Sequence, residues 1–312
     1  MSFGHDTTTD EVLKDIDLTG KTAFVTGASG GLGAETARAL ASKGASVTLA
    51  VRNLDKGKAV AADIRDATGS AVDVVELELA SLPSVRACAA AWLEHHGPLN
   101  LLINNAGVMA CPLTRVDNGW ELQFATNHLG HFLLTGLLLP ALKAGAPARI
   151  VNLSSAGHRF GPVHFEDIHY QTRPYSKFEA YGQSKTANVL FSLALTRRLA
   201  GLGITANAVH PGVIMTDLGR HLTPEDLADF PSDRPIEEMQ FKTIASGAAT
   251  SVWAATAPEL EGKGGLYLED CHVALPAAET EDGGYSPWAL DPDAAERLWT
   301  ISEDLVGEKI RI

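Results

Sequence analysis

The chain has 312 residues, of which 45% are hydrophobic and 20% are charged, a composition typical of a globular protein that buries a sizeable core. Its formal net charge of −13 argues against a nucleic acid or an anionic membrane surface as a partner. The three cysteines, Cys88, Cys111 and Cys271, have no CxxC spacing, so neither a disulfide framework nor a zinc site is indicated, and we predict a cytoplasmic protein.

Residues 1–17 are rich in acidic side chains and contain no apolar region of a signal peptide. We predict a soluble, partly disordered N-terminal extension there, followed by one domain over residues 18–312. No apolar run reaches the ~18 residues that a membrane-spanning helix needs, so no membrane anchor is expected.

Strand and helix patterns alternate along the domain. Strands are predicted at residues 21–26, 46–51, 72–77, 99–103, 149–153, 204–209 and 265–268, and the main helices at 55–66, 84–95, 119–143 and 181–199. This alternation predicts an α/β fold, a Rossmann-like doubly wound parallel sheet of about seven strands in a single domain. Residues 217–240 carry several prolines and follow a strand end, where ligands bind in such sheets, so we predict a substrate lid there.

A glycine-rich turn joins the first strand to a helical pattern that runs to residue 43. Gly27, Gly31 and Gly33 permit a tight turn and let a pyrophosphate approach the helix N-terminus, where free N–H groups favour anions. An ordinary tight turn would also explain the glycines alone. Their place in the first βα unit favours a dinucleotide-binding loop.

The end of the second strand indicates which dinucleotide is bound. An acidic residue there would bind the ribose 2′-hydroxyl of NAD, but Arg52 follows this strand instead. A guanidinium can bind a 2′-phosphate with two hydrogen bonds, so NADP(H) is favoured and NAD(H) remains possible. The alternative is that Arg52 is only a surface residue.

Tyr181 and Lys185 are spaced so that both lie on one face of a helix, which Tyr181 is predicted to open. A free phenol has a pKa near ~10, and a neighbouring cation favours the phenolate. Tyr181 is therefore a candidate proton donor and acceptor whose pKa Lys185 would lower. By themselves, these residues would also fit a plain helix start with an exposed lysine.

Together the motifs resemble the short-chain dehydrogenase/reductase family, single-domain type. They are TGASGGLG at 26–33, NNAG at 104–107, Asn127, Ser154-Ser155, Tyr181 with Lys185, and Pro211-Gly212, in the order the family has. The sequences of 104–109, 181–191, 270–274 and 295–299 are most similar to the branch that holds retinol dehydrogenases, protochlorophyllide reductases and the oxidoreductase domain of a WW-containing protein.

The resemblance implies an NAD(P)(H)-dependent oxidoreductase that interconverts a carbonyl and an alcohol. Ser155 would hydrogen-bond the substrate oxygen, Tyr181 would transfer the proton, and Lys185 would bind the nicotinamide ribose. Asn127 would hold a water that relays protons from Lys185 to solvent. Besides Tyr181 and Lys185, the cofactor would contact Gly27, Ser29, Gly31, Leu32, Gly33, Arg52, Glu78, Asn105, Ala106, Gly107, Pro211, Gly212, Val213 and Thr216.

The resemblance also suggests a homodimer or homotetramer that packs through helices 119–143 and 181–199. Met109, Phe160, Phe165 and Phe230 favour an apolar small-molecule substrate.

Two other functions share parts of this pattern. One is a cofactor-binding regulator that lost the Ser/Tyr/Lys set, which is intact here. The other is a nucleotide-sugar epimerase or dehydratase, which has a differently spaced glycine loop. His128 and His131 share a helix face but have no carboxylate or thiolate nearby in sequence, so we predict core or cleft residues and no metal.

Overall fold

The computed structural model describes residues 3–228, 230–231, 239–280 and 283–312. The strands are β1 Thr22–Thr26, β2 Ser46–Val51, β3 Val72–Glu76, β4 Leu101–Asn104, β5 Ala148–Leu153, β6 Ile204–His210, β7 Val213–Ile214, β8 Phe241–Lys242, β9 Tyr267–Glu269 and β10 His272–Val273. The helices are α1 Thr9–Val12, α2 Gly31–Ala41, α3 Leu54–Thr68, α4 Leu82–His95, α5 Leu122–Phe124, α6 Gly130–Ala144, α7 Lys177–Arg198, α8 Pro224–Ala228, α9 Ile244–Thr256 and α10 Pro292–Val306. Short 3₁₀ turns lie at Ala156–Phe160, Asp217–Gly219, Pro258–Leu260, Ala277–Glu279 and Pro287–Leu290.

The main sheet has eight strands in the order β10-β9-β6-β5-β4-β1-β2-β3. Seven of them pair in parallel, which confirms the predicted doubly wound sheet. The eighth, β10, is antiparallel to β9 and was not predicted. It follows a turn in which Asp270 and Cys271 both have positive φ angles, of 46° and 57°, and neither residue type signals such a turn strongly.

The sheet reverses its winding direction between β1 and β4, because β1 pairs with β2 on one side and with β4 on the other. In open α/β sheets, ligands bind in the crevice outside the carboxyl ends of the strands at such a point. The glycine loop follows β1, and the segments that follow β4, β5 and β6 begin at the same edge of the sheet. The fold therefore brings the sequence motifs together at one edge of the sheet.

Two long helices pack on one face of the sheet, and both differ in detail from their prediction. The helix expected over 119–143 begins at Leu122, and its α5 and α6 segments are joined by a π-helical turn at Ala125–Leu129. The α7 helix begins at Lys177, where the Ser176 side chain accepts a hydrogen bond from the backbone N–H of Glu179. Tyr181 therefore lies inside the helix and does not open it.

The C-terminal helix α10 covers the faces that α6 and α7 were expected to offer to a second copy. The Trp299 ring centre lies 5.0 Å from that of Phe132 and 6.1 Å from that of Phe191. At Gly136 a Cβ atom would lie 2.0 Å from the Cδ1 of Ile310, so the tail after α10 also lies tightly against α6. Within α7, Ala187, Val189, Leu190 and Ala194 are buried inside the chain, whereas Leu193 is partly exposed.

The N-terminal segment is folded onto the domain from residue 3 onward, unlike the disordered extension that was predicted. A capping box between Thr8 and Glu11 starts α1, and Leu13 after it is fully buried. The Arg38 guanidinium of α2 donates to Asp10 at 2.8 Å. The two apolar residues Val12 and Leu13 thus anchor a segment whose acidic composition suggested disorder.

The lid predicted over 217–240 is described only in part, because residues 229 and 232–238 lie outside the described residues. Its described part contains a 3₁₀ turn and α8. Within the described ranges, no helix combines the length and the hydropathy needed to cross a bilayer.

We predict that Trp299→Ala lowers the free energy of unfolding by about 3–5 kcal/mol, because it leaves a cavity between α6, α7 and α10. Trp299 is only 4% exposed, and the Arg198 guanidinium lies 4.4 Å from its ring centre. Urea unfolding followed by circular dichroism measures the change. As a control, Leu202→Ala removes a residue that is 39% exposed and should change stability by less than about 1 kcal/mol. Equal losses in the two variants would contradict this account of the α10 interface.

Candidate active site

The glycine loop between β1 and α2 packs tightly against the end of β4. A Cβ atom at Gly27 would lie 2.8 Å from the Cα of Ala106, and one at Gly33 would lie 2.5 Å from the Nδ2 of Asn105. Gly31 has a φ angle of +55°. Gly30, the N-cap residue of α2, has no side chain to bond the first N–H groups of the helix. The loop therefore offers backbone donors to an anion, as the pyrophosphate of a dinucleotide requires.

Thr26 holds the glycine loop and the segment after β4 together. Its hydroxyl accepts hydrogen bonds from the backbone N–H groups of Asn105 at 2.9 Å and Ala106 at 3.0 Å. Its carbonyl accepts one from the Asn105 side chain at 2.8 Å. Thr26 was part of the glycine motif but was given no role in the sequence analysis. A hydroxyl directly before the first glycine was the available signal.

Arg52 and Glu78 lie at the ends of neighbouring strands, where the adenosine end of a dinucleotide would bind. The Nη1 of Arg52 is 3.7 Å from the Oε2 of Glu78, and the arginine side chain is 71% exposed. The guanidinium is therefore accessible, and the neighbouring carboxylate helps to keep it at the edge of the sheet. Ser29 and Leu32 lie half-buried in the glycine loop nearby.

The turn that Ser155 begins packs against Tyr181. Ser155 is the N-cap of the 3₁₀ turn after β5, where its hydroxyl accepts from the N–H of Gly157 at 3.0 Å, and its side chain lies near enough to the Tyr181 phenol to lower the pKa of that group. A Cβ at Gly157 would lie 2.7 Å from Cε1 of the Tyr181 ring, so the turn and the ring pack closely. Ser154 has a different partner, the carbonyl of Lys185, to which it donates at 2.9 Å. The second serine of the pair is thus the one that faces the phenol.

Lys185 has a buried ammonium group. The residue is 3% exposed, and its Nζ donates to the carbonyl of Leu153 at the end of β5, at 3.0 Å. Burial lowers the pKa of Lys185 to about 8. A Cβ at Gly107 would lie 3.6 Å from this Nζ and 3.3 Å from the Oδ1 of Asn127. Gly107, Asn127 and Lys185 therefore meet beside the Tyr181 ring.

The expectation that Lys185 lowers the pKa of Tyr181 is wrong for this structure. Burial raises the pKa of Tyr181 to about 12, and the hydrogen bond from Ser155 opposes that rise only in part. The Lys185 Nζ lies 5.6 Å from the centre of the Tyr181 ring and is bound to the Leu153 carbonyl. Desolvation of the phenolate is therefore the largest effect on this pKa, and Lys185 does not offset it.

Asn127 lies in the π-helical turn and is fully buried. Its amide donates to the Val108 carbonyl and to the Ser184 hydroxyl, both at 2.9 Å, and its Oδ1 accepts from the Val108 N–H at 2.8 Å. These bonds fix the side chain between β4 and α7. The polar atoms of the Asn127 side chain are therefore used by protein contacts, and its backbone carbonyl accepts from the Nδ1 of His131 at 2.9 Å.

The loop after β6 closes the site on the other side. Gly212 has a φ angle of +92°, and the buried stem of Lys242 packs against it. The Nζ of Lys242 forms an ion pair with Asp270 at 2.5 Å. Thr216 lies opposite Gly31, with its Cγ2 3.7 Å from the position of a Cβ there, and its hydroxyl also accepts from the Leu218 N–H. Pro211 is half-buried and Val213 exposed in the same loop. Sequence reasoning missed the Lys242–Asp270 pair because nothing in sequence joins the two residues.

Three aromatic rings lie beside the Tyr181 helix. Phe178 is 6.3 Å from Phe160 and 5.3 Å from Phe230, and Phe160 is 6.0 Å from Phe230, all in edge-on contacts. Lys177 also forms an ion pair with Asp226 of α8. These contacts place Phe230 of the predicted lid against the start of α7. Phe165, by contrast, lies under the Arg297 guanidinium, 4.6 Å from it.

The chain resembles known proteins over most of its length. Residues 21–227 match the family described as short chain dehydrogenase. Retinol dehydrogenase 13 of Homo sapiens is 46% identical over 293 residues, which cover 93% of this chain and 86% of that protein.

Solved structures show the same similarity. A crystal structure of an uncharacterized protein from Mycobacterium paratuberculosis has a TM-score of 0.76 and 35% identity, over 98% of this chain and 100% of that one. A short chain dehydrogenase from Escherichia coli, complexed with NADPH, has a TM-score of 0.62 and 26% identity, over 81% of this chain and 97% of that one.

The buried histidines predict how stability depends on pH. Burial lowers the pKa of His128 to about 3 and those of His131 and His158 to about 4, below the ordinary value of 6.5. Between these values the unfolded chain binds protons that the folded chain does not. The stability is therefore present above pH 6.5 and is lost as the pH falls toward the folded values, by at most about 1.4 kcal/mol per pH unit for each histidine.

We expect the difference in unfolding free energy between pH 6.5 and pH 5 to be smaller in His128→Leu than in the wild type. Urea titrations at both pH values measure this difference. His221→Leu, at an exposed position, is the control, and the difference in unfolding free energy between the two pH values should equal that of the wild type. If this difference in unfolding free energy were identical in His128→Leu and the wild type, His128 would not remain neutral in the folded protein.

Proposed function

The chain belongs to the short-chain dehydrogenase family and is an NAD(P)-dependent oxidoreductase of the carbonyl/alcohol class, and we propose that Tyr181 is its general acid and base. The observation that carries the proposal is the packing of the turn that Ser155 begins against the Tyr181 ring, with the buried Lys185 Nζ 5.6 Å from the centre of that ring. A nucleophilic or metal mechanism has no comparable set among these residues.

The residues at the carboxyl edge fit a nicotinamide dinucleotide. The glycine loop and the N-terminus of α2 would hold the pyrophosphate, and Asn105, Ala106, Gly107 and the 211–216 loop would lie along the cofactor. When bound, the nicotinamide ring supplies or accepts the hydride. We propose that Lys185 binds the adjoining ribose, since its ammonium lies next to Gly107 and has the Leu153 carbonyl as its protein acceptor.

The Tyr181 phenol and the Ser155 hydroxyl would have different roles at the substrate oxygen. With a pKa near 12, Tyr181 is protonated at neutral pH and can donate its proton to a carbonyl oxygen as that oxygen gains negative charge. Ser155 has one hydroxyl proton, which it can donate to the same oxygen when substrate is bound. In the opposite direction Tyr181 would act as the phenolate and take up the alcohol proton to become the neutral phenol, and Lys185 on the same helix would stabilise the phenolate before the transfer.

We propose a preference for NADP(H), with NAD(H) as the weaker cofactor. Its support is the exposed guanidinium of Arg52 at the end of β2, where a 2′-phosphate would lie. The related Escherichia coli dehydrogenase was crystallised with NADPH. Glu78 lies on the same side and would contact the adenine or ribose.

We propose an apolar substrate and a cytoplasmic protein. Phe160, Phe178 and Phe230 support the first, since they join the turn after Ser155, the Tyr181 helix and the lid segment. Three free, buried cysteines support a reducing compartment.

A domain over 18–312 with a lid at 217–240 remains our proposal. A homodimer or homotetramer that packs through the long helices also remains our proposal, with Phe132 and Phe191 already packed against Trp299 of α10.

We predict that Tyr181→Phe lowers kcat at least ~10³-fold while cofactor binding stays within about threefold, because only the transferable proton is lost. Stopped-flow turnover and fluorescence titration with NADPH measure the two effects. Tyr267→Phe is a matched control, since this buried hydroxyl has no hydrogen-bond partner among the described residues. Near-normal kcat in Tyr181→Phe would refute the mechanism.

We predict that Arg52→Ala weakens NADPH binding by about 1.5–3 kcal/mol and changes NADH binding little, because the guanidinium would contact only the 2′-phosphate. The two dissociation constants are measured by fluorescence titration. Arg65→Ala, which removes an exposed cation from the far end of α3, should affect neither cofactor. Equal losses for both cofactors in Arg52→Ala would show that Arg52 does not select between them.

A further inference from the structure

His131 lies one helical turn after Asn127 and is 1% exposed. Its Nδ1 is 2.9 Å from the backbone carbonyl of Asn127, and its Nε2 is 2.9 Å from the hydroxyl of Thr26. Thr26 directly precedes the glycine loop and binds the backbone N–H of Asn105, and Asn127 lies beside Lys185. One imidazole therefore connects the start of the dinucleotide loop with the residue next to the buried ammonium.

The partners of His131 determine where its proton lies. The carbonyl of Asn127 can only accept, so Nδ1 must carry the hydrogen and Nε2 must be the acceptor. The Thr26 hydroxyl already accepts from two backbone N–H groups, those of Asn105 and Ala106, so its own proton is free to be donated. The Ile103 carbonyl, another acceptor for it, is more distant at 3.4 Å. The whole chain of hydrogen bonds is satisfied only by a neutral imidazole with its proton on Nδ1.

The surroundings keep the imidazole neutral. Burial, helped by the nearby Lys185 ammonium, lowers the pKa of His131 to about 4 against the opposing effect of the hydrogen bond to the Asn127 carbonyl. A protonated ring would also direct its Nε2–H at the hydroxyl of Thr26, which already accepts two hydrogen bonds. His131 is therefore suited to a fixed orientation rather than to proton exchange with solvent.

We infer that His131 is a positioning residue that couples the glycine loop to the Asn127 carbonyl. This inference rests on the proposed function of the glycine loop, Asn127 and Lys185. By its bond to Thr26, His131 orients the hydroxyl that holds the Asn105-Ala106 backbone against the dinucleotide loop. By its bond to Asn127, it fixes the π-helical turn beside Lys185. One side chain thus fixes both the loop that would bind the cofactor and the turn beside Lys185.

His128 provides a matched comparison within the same helix. It is also fully buried and neutral, but its Nε2 lies 2.8 Å from the Ser302 hydroxyl of α10, on the side away from the glycine loop. Its ring packs among Phe124, Phe132 and Phe191. Replacing His128 should therefore reduce stability without changing the site.

The test compares His131→Leu, His131→Asn and His128→Leu with the wild type, using kcat, the NADPH dissociation constant and the melting temperature. In His131→Leu we expect about tenfold weaker NADPH binding and about tenfold lower kcat, since both bonds are lost. In His131→Asn, whose amide can replace Nδ1 but does not reach Thr26, kcat should recover to within about threefold of the wild type while NADPH binding stays weak. In His128→Leu only the melting temperature should fall.

Three results would overturn the inference: unchanged kcat and NADPH affinity in His131→Leu, equal losses in His128→Leu, or no recovery of kcat in His131→Asn. A wild-type protein that binds no nicotinamide cofactor would instead refute the proposed function, and this inference with it. Nitrogen-15 NMR of the histidine rings gives a readout without turnover. It should show the Nδ1–H form for the resonance that His131→Asn removes, and an Nε2–H form would break the argument.

Discussion

Burial of the Lys185 ammonium is the constraint on which the arrangement of the site depends. Removing a charged group from water is unfavourable unless polar partners replace the solvent. Here the Leu153 carbonyl at the end of β5 binds the ammonium, and Asn127 and Gly107 lie beside it. These partners come from three separate elements, so the sheet, the π-helical turn and α7 must all be in register. The position of the Lys185 ammonium therefore depends on how all three elements pack at this edge of the sheet.

The same edge shows how a regular fold is adapted to a site. Parallel strands bring their carboxyl ends together, but the bonds that define the site come from irregular positions: the hydroxyl of Thr26, the widened turn around Asn127 and the left-handed Gly212. Each departs from ideal strand or helix geometry where a backbone group is needed for a partner. On the outer side, α10 packs over α6 and α7, so the helices that carry Asn127 and Tyr181 are supported from behind.

The parallel strands of the main sheet and the positions of the motifs were predictable, because alternating βα patterns and ordered motifs are local signals. Effects that depend on burial were not. The pKa of Tyr181 was predicted to fall and lies higher, since sequence does not report how far a phenol is removed from water. The ion pair of Lys242 and Asp270 joins residues 28 positions apart, with α9 and β9 between them, so no local signal connects the two. His131 was grouped with core histidines, which is correct for its burial but omits its two bonds.

The packing of α10 on α6 and α7 has a consequence for biosynthesis. During translation α7 leaves the ribosome well before α10, so the apolar faces of α6 and α7, including Phe132 and Phe191, have no cover for part of that time. Exposed apolar helix faces in nascent chains associate with one another and with chaperones. The yield of this protein in a cell should therefore depend on chaperone capacity during the interval before α10 is made, even though the finished domain hides that surface.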